Sequence, residues 1–141
     1  MAVYDASFKN NSKRNSRNFK DIDLDFGRNI VTSDISTVTN VNAIKRSVKN
    51  LIQTNFYERP FHPELGCGVR DLLFENFTPI TRVYIERKIE EVLVNYEPRI
   101  SLSQVAVDDD QDNNRLVVDV YFYVQGVADP ITVSTFLQRL R

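Results

Sequence analysis

The sequence has few of the residues from which disulfides, metal centres and catalytic dyads are built. Its 141 residues include one cysteine, Cys67, one histidine, His62, and no tryptophan. A single cysteine excludes an internal disulfide and fits a reducing compartment. Structural zinc needs four ligands, and a Cys–His nucleophile pair must meet in space, whereas Cys67 lies between two glycines in a predicted turn. We therefore expect no metal site and no cysteine nucleophile.

Long apolar runs are also absent. No stretch approaches the roughly 20 apolar residues of a membrane helix, and the N-terminus lacks the charged and then apolar pattern of a signal peptide. Hydrophobic content of 42% and charged content of 26% are ordinary for a globular protein. Length and composition predict one domain with a buried core and no membrane contact.

The net charge of −1 hides an uneven distribution. Residues 1–20 contain five lysines and arginines and one acid, whereas the rest of the chain is acidic. A basic arm can bind nucleic acid, but this one is rich in asparagine and serine, has no Gly/Arg repeat and precedes an acidic body. We predict a flexible arm over residues 1–18 that orders on a protein partner, then one domain over residues 19–141, and no nucleic-acid binding.

The first part of that domain predicts one strand and one amphipathic helix. Acidic and apolar residues alternate strictly over residues 21–26, which predicts a half-buried strand with Ile22, Leu24 and Phe26 facing the core. After an irregular link, Asn40 is a suitable helix N-cap. The apolar residues that follow share one helical face, and they are Val41, Ile44, Val48, Leu51 and Ile52.

A segment rich in proline and glycine comes next. Residues 58–77 contain two of the five prolines and two of the four glycines, so they cannot form one helix or one strand. They also carry several leucine and phenylalanine side chains. We predict a shaped, partly buried connector between two helices that ends in a short helix over residues 69–77. The residues assigned to this structural connector are Arg59, Pro60, Phe61, Pro63, Gly66 and Gly68.

The second long helix has clear start and stop signals. Thr78 is a capping residue, and Pro79 follows it at the first helical position. Pro98 disfavours helical backbone at Glu97, so we predict that the helix ends near Tyr96. The apolar residues that repeat on one face of this helix are Ile85, Ile89, Val92 and Tyr96.

After Pro98 the apolar period becomes two, which is typical of strands. The alternation over residues 100–102 is out of phase with that over residues 105–107, which predicts a bulge near Ser103. Residues 116–124 and 131–137 predict two further strands joined by short turns. The predicted fold class is therefore α+β, a mainly antiparallel sheet with two longer helices and one short helix packed on one side.

No group of residues has the spacing of a catalytic or cofactor site. The acidic residues after Val107 resemble a calcium loop, but Asn113 stands where that loop needs glycine and Asp119 where it needs glutamate. A glycosidase needs two carboxylates about 5–9.5 Å apart, and no spacing singles out a pair. The carboxylates considered are Glu58, Glu64, Glu75 and Glu97. There is no phosphate-binding glycine loop and no nucleophile elbow, so we expect neither an enzyme nor a cofactor.

Glu97, Pro98 and Arg99 form the most distinctive short motif. An acid and a base flank a rigid proline where the predicted helix becomes a strand. The two charges either terminate the helix in solvent or project toward a partner, where charge-assisted hydrogen bonds give specificity. We predict that both lie at an exposed hinge, so that replacing both with alanine leaves the fold largely intact.

From about residue 19 to its end, the chain resembles the small baseplate wedge proteins of contractile-tailed phages, a family with a relative in the type VI secretion baseplate. The resemblance rests on the connector followed one helix later by Glu97-Pro98-Arg99, with support from residues 21–26 and 40–44. The matching part of the connector reads Glu58-Arg59-Pro60-Phe61-His62-Pro63-Glu64-Leu65-Gly66-Cys67-Gly68-Val69-Arg70-Asp71-Leu72-Leu73-Phe74-Glu75.

The resemblance implies a structural protein of the virion tail baseplate, assembled in the host cytoplasm. It implies that Glu97, Pro98 and Arg99 contact larger wedge subunits. It also implies that the C-terminal strands pair with the tail sheath protein and template its first ring, which is β-augmentation. The strand residues assigned to this contact are Val118, Val120, Phe122, Ile131, Val133 and Thr135. Tube or hub proteins are candidate partners of the N-terminal arm.

The sequence leaves two other functions open. The family has also been described as lysozyme-like, and a small adaptor or inhibitor protein could use the same fold. Glycan cleavage separates the enzyme from the scaffold, and co-purification with larger tail proteins separates the scaffold from the adaptor. We further predict that truncation after Gln125 stops sheath assembly while helical docking survives.

Overall fold

The computed structural model describes residues 19–138, so the predicted arm over residues 1–18 lies outside the described residues. Within the described part, no helix is long and apolar enough to cross a membrane. The elements in chain order are β1 (Lys20–Ile22), β2 (Thr37–Thr39), α1 (Asn40–Gln53), α2 (Val69–Leu72), α3 (Pro79–Tyr96), β3 (Ile100–Asp110), β4 (Arg115–Val124) and β5 (Ile131–Gln138).

The strands form two antiparallel sheets, which confirms the predicted α+β class. β1 pairs with β2 in a small hairpin, and the second sheet has the order β3-β4-β5. β4 is its central strand, since Val120 lies opposite Val105 on one side and Val133 on the other. The register shifts between Leu102 and Gln104, which confirms the predicted bulge.

The core lies between the three-stranded sheet and the two long helices. α3 packs mainly on β3, and α1 packs on β5. The apolar half of each of β4 and β5 is confirmed as a buried surface, and so are the predicted apolar faces of the two helices except at Tyr96, which is 37% exposed, and Val41, which is partly buried. The core residues with no exposed area include Ile44, Val48, Ile85, Ile89, Val118, Val120 and Phe122. Burying such side chains is worth roughly 1.5–3 kcal/mol each, so this interface is the main source of stability.

The helix boundaries follow the local signals with two differences. Thr78 Oγ1 accepts the N–H of Thr81 at 3.2 Å, and Pro79 follows the cap as predicted. At α1, the N-cap is Thr39, and Asn40 is the first helical residue instead of the cap. The short helix is shorter than predicted, because α2 ends at Leu72.

The prediction for residues 21–26 is wrong in extent and in orientation. Regular pairing stops at Ile22, and the chain then turns, with the Phe26 N–H bound to the Asp23 carbonyl at 3.0 Å. Phe26 has a left-handed φ of 51°. The three side chains expected in the core are exposed: Ile22 by 53%, Leu24 by 53% and Phe26 by 66%.

The acidic half of this alternation faces the domain instead. Arg46 of α1 donates Nη1 to Asp23 Oδ1, and it donates Nη2 to Asp25 Oδ2 at 2.7 Å. The hydrogen bond from the backbone N–H of Asp25 is the main cause that holds the pKa of Asp23 below its usual range; burial acts against it, and Arg46 adds to the lowering. The hairpin is therefore held to α1 in part through charge, and Ile22, Leu24 and Phe26 are turned outward.

Candidate partner-binding site

The Glu97-Pro98-Arg99 motif lies at the junction between α3 and β3. Glu97 is the C-cap of α3, with φ −126° and ψ 73°, and its N–H still binds the Leu93 carbonyl at 3.0 Å. Pro98 cannot continue the helix. The Ile100 N–H binds the Glu97 carbonyl at 3.3 Å, which turns the chain into β3. The junction is thus held on both sides of the proline.

Glu97 and Arg99 form a bidentate ion pair. Arg99 Nε donates to Glu97 Oε1 and Arg99 Nη2 donates to Glu97 Oε2, both at 2.5 Å. The Glu97 side chain is 2% exposed and that of Arg99 is 29% exposed. The prediction of an exposed hinge is therefore wrong for Glu97. Its removal would leave a largely covered guanidinium without its partner, which is costly in a protein interior.

The protonation of Glu97 follows from these contacts. Burial acts to raise the pKa of Glu97, but hydrogen bonds from Arg99 and Ser47 together outweigh it and hold the pKa below its usual range. The same interaction has the opposite effect on its partner: the hydrogen bond to Glu97 raises the pKa of Arg99. Both groups are charged at neutral pH, so Glu97 acts as a fixed acceptor and not as a proton donor.

The N-terminal hairpin reaches this pair. The ring centroid of Phe19 lies 5.3 Å from Arg99 Cζ, in the range of a cation–π contact. The Phe19 carbonyl accepts the Asn40 N–H at 2.7 Å, which ties it to the start of α1. Reasoning from the sequence missed Ser47 and the contact of Phe19 with Arg99, because no local pattern relates residues so far apart in the chain.

The strand residues assigned to the sheath contact all face the helices. Val118, Val120 and Phe122 belong to the central strand β4 and are fully buried. Their neighbours on β5, Ile131 and Val133, are 8% exposed, and Thr135, the sixth residue of the set, is also buried. Truncation after Gln125 would remove part of the core, so survival of helical docking is not expected.

The main chain of β5 offers a different surface. Within residues 19–138, β5 pairs with β4 alone, so its outer edge has no partner strand. An unpaired edge presents N–H and C=O groups that favour pairing with another chain. A contact made there would use the backbone of Ile131–Gln138 and not the side chains that face the core.

The predicted connector divides into a packed part and an exposed part. A Cβ on Gly66 would lie 2.5 Å from the backbone carbon of Asn55, and one on Gly68 would lie 2.7 Å from the Phe56 ring. Gly68 also has a left-handed φ of 62°. The remaining connector residues, Arg59, Pro60, Phe61 and Pro63, are exposed, Phe61 by 96%.

His62 and Cys67, which were considered as a nucleophile pair, lie in opposite environments. His62 is 68% exposed and binds Glu64 at 3.2 Å, whereas Cys67 is buried, and burial raises the pKa of its thiol to about 12. Among residues 19–138, no cluster of three or more His, Cys, Asp or Glu side chains could hold a metal ion. The one buried carboxylate in this part of the chain, Glu97, has a lowered pKa, opposite to what a general acid needs.

Two sequence comparisons lead to the same protein family. The sequence model of the family described as baseplate wedge protein gp25 matches residues 38–128, a span that contains the connector and Glu97 to Arg99 and ends before β5. Baseplate wedge protein gp25 of Enterobacteria phage T4 is 42% identical over 98 residues, which are 70% of this chain and 74% of that protein.

Solved structures share the fold. A chain of the anti-feeding prophage baseplate is 26% identical, with a TM-score of 0.68 over 79% of this chain and 90% of that one. A putative tail lysozyme from Geobacter sulfurreducens is also 26% identical, with a TM-score of 0.63 over 70% and 90%. A chain of the postcontracted pyocin R2 baseplate, 20% identical with a TM-score of 0.53 over 84% and 98%, is similar in fold alone.

Proposed function

Because the chain belongs to the family of baseplate wedge protein gp25, we propose that it is a structural component of the baseplate wedge of a contractile tail. It docks on larger wedge subunits, and its C-terminal sheet starts the assembly of the tail sheath. Its place is the tail baseplate of the virion, with assembly in the host cytoplasm. The relative in phage T4 and the structural neighbour in the anti-feeding prophage baseplate support this role.

The observation that carries the wedge contact is the bidentate pair of Glu97 and Arg99. Glu97 uses both carboxylate oxygens to hold Arg99 Nε and Nη2, which leaves the Nη1 group outside the pair. Pro98, next to them, is exposed. A guanidinium that is already fixed loses little freedom on binding, which favours affinity and orientation. In this proposal Glu97 positions Arg99, and the exposed part of Arg99 with Pro98 contacts the larger subunit.

Replacing Arg99 with lysine tests this contact. Arg99→Lys keeps the positive charge beside Glu97 but removes the planar fork. We expect co-expression with the larger wedge proteins, followed by pull-down and size-exclusion chromatography, to show loss of the complex at concentrations where the wild type is fully assembled. Circular dichroism must show that the variant is folded.

Arg115→Lys is the matched control. Arg115 is 35% exposed and pairs with Asp110 at 2.8 Å, at the opposite end of the β3–β4 ladder from Arg99. We expect this variant to assemble like the wild type. Normal wedges from Arg99→Lys would contradict the assigned contact.

The sheath contact is proposed for the outer edge of β5. Main-chain pairing at a sheet edge adds a strand with little demand on side chains. This pairing can be measured by amide hydrogen exchange of the chain with and without the purified sheath protein of the same tail. We expect slower exchange over residues 131–138 and no change in β4, whose two edges are already paired. Unchanged exchange over residues 131–138 in a sheath complex would contradict the proposal.

We infer that the chain acts without catalysis. Support comes from Glu97: burial acts to raise its pKa, but the interactions with Arg99 and Ser47 together hold the pKa below its usual range. A peptidoglycan-cleavage assay tests the lysozyme alternative, and we expect no activity above that of Glu97→Gln. The adaptor alternative predicts a chain that elutes alone when every neighbouring tail protein is present. A contact of the N-terminal arm with tube or hub proteins stays a prediction.

A further inference from the structure

A cavity of about 460 Å³ opens beside the C-terminal end of β5. It lies between the C-terminal end of α1, the short helix α2 and the last residues of β5. Leu73 and Leu137, which are 4% and 3% exposed, form its apolar floor. Phe74 lies at its mouth with 73% of its surface exposed. The polar and charged residues of the lining are Gln53, Asn55, Arg70, Asp71 and Gln138.

The direction of the β5 side chains relates this cavity to the open edge. Leu137 and Thr135 are buried, so they point from β5 toward the helices. A residue directly opposite on an added strand would have its Cβ about 4.5–5.5 Å away and would point to the same face. The cavity lining also includes Phe136 and Gln138, which alternate with Leu137, so the cavity reaches around the end of β5. On a strand paired along the outer edge, the side chain beside Leu137 would point toward the helical residues that line the cavity.

We propose that this cavity receives one large apolar side chain of an extended partner segment that pairs with β5. The inference rests on the proposed sheath contact and adds a sequence requirement to it. Main-chain hydrogen bonds give affinity for any extended segment, whereas pockets for alternate side chains give specificity. The cavity volume lies within the range of about 300–1,000 Å³ of pockets that bury whole small-molecule ligands, so it has room for one large side chain.

The test compares the affinity of the purified sheath protein for two variants of this chain. Phe74→Asp places a charge at the mouth of the cavity, and we expect the dissociation constant to rise roughly ten-fold or more. Ile80→Asp is the matched control, because Ile80 is apolar, 82% exposed and outside the cavity lining. We expect its affinity to equal that of the wild type. Phe74→Ala, which adds no charge, serves as a milder second variant.

The possible outcomes distinguish the cavity assignment from strand pairing at the outer edge of β5. Wild-type affinity of both Phe74 variants, with residues 131–138 still protected from exchange, would overturn the cavity assignment and leave edge pairing in place. An equal loss of affinity in Ile80→Asp would also overturn it. If the wild type neither binds the sheath protein nor shows protection of β5, the cavity assignment and the sheath part of the proposed function fail together.

Discussion

Two stretches of this chain alternate polar and apolar residues with the same period and fold differently. Residues 116–124 form most of β4 with their apolar half buried, whereas residues 21–26 leave the apolar half exposed. β4 has a partner strand on each side and helices over one face, while β1 has one short partner and Arg46 pairs with Asp23 and Asp25, which follow it. A period of two indicates alternation, and the neighbouring elements decide which half is buried.

The largest change in stability is expected from a test that removes one aromatic ring from each stretch. Phe122 has no exposed area and Phe26 is 66% exposed. We expect Phe122→Ala to lower the free energy of unfolding by about 3–5 kcal/mol, because it leaves a cavity in the core. Phe26→Ala should change it by less than about 0.5 kcal/mol. Urea denaturation measures both, and comparable losses would show that the hairpin is packed as tightly as the sheet.

A smaller loss of stability is expected when the ion pair between Glu97 and Arg99 is broken. Arg99→Met leaves the buried Glu97 carboxylate without its bidentate partner, and we expect a loss of about 1–3 kcal/mol near neutral pH.

The pH dependence of this loss has a definite sign. The folded-state pKa of Glu97 lies below the ordinary value of 4.5, so its stabilising effect is complete above that value and disappears as pH falls through the folded-state pKa. The difference in unfolding free energy between wild type and Arg99→Met should therefore shrink toward acid pH. A difference that stays constant as the pH falls from neutral through the folded-state pKa of Glu97 would contradict the assigned role of this residue.

The smallest global effect is expected at the hairpin. Arg46→Gln removes the cation that holds Asp23 and Asp25, both of which interact near the surface. Exposed ion pairs contribute little to global stability, so the unfolding midpoint should stay unchanged. Amide exchange over residues 20–39 should become faster while β4 stays protected. Lys49→Gln, on the exposed side of the same helix, serves as the control and should alter neither region.

Reasoning from the sequence placed the long helices and the three C-terminal strands correctly and placed the candidate site only in part. It identified Glu97, Pro98 and Arg99 as a unit at a helix-to-strand junction. It treated Glu97 as exposed, because a charged residue beside a proline is usually solvated at a helix end. The ion pair and the hydrogen bond from Ser47 overturn that expectation, since they compensate the burial of the carboxylate.

Side-chain alternation also does not tell a central strand from an edge strand. The alternation of Val118, Val120 and Phe122 correctly indicated a strand, but it carried no information on whether that strand is central or at an edge. The order β3-β4-β5 makes β4 central and leaves the outer edge of β5 without a partner among residues 19–138. Strand order depends on which segments meet in space, and side-chain alternation is the same in either position.

By itself, the sequence determined the starts, stops and periods of the main elements, including the cap at Thr78, the end of α3 before Pro98 and the bulge after Leu102. These features depend on interactions within a few residues. Only the tertiary structure decided the burial of Glu97, the outward turn of the hairpin's apolar side chains and the cavity beside β5. Each of these depends on contacts between residues distant in the chain, because burial and charge pairing are properties of surfaces that meet only after folding.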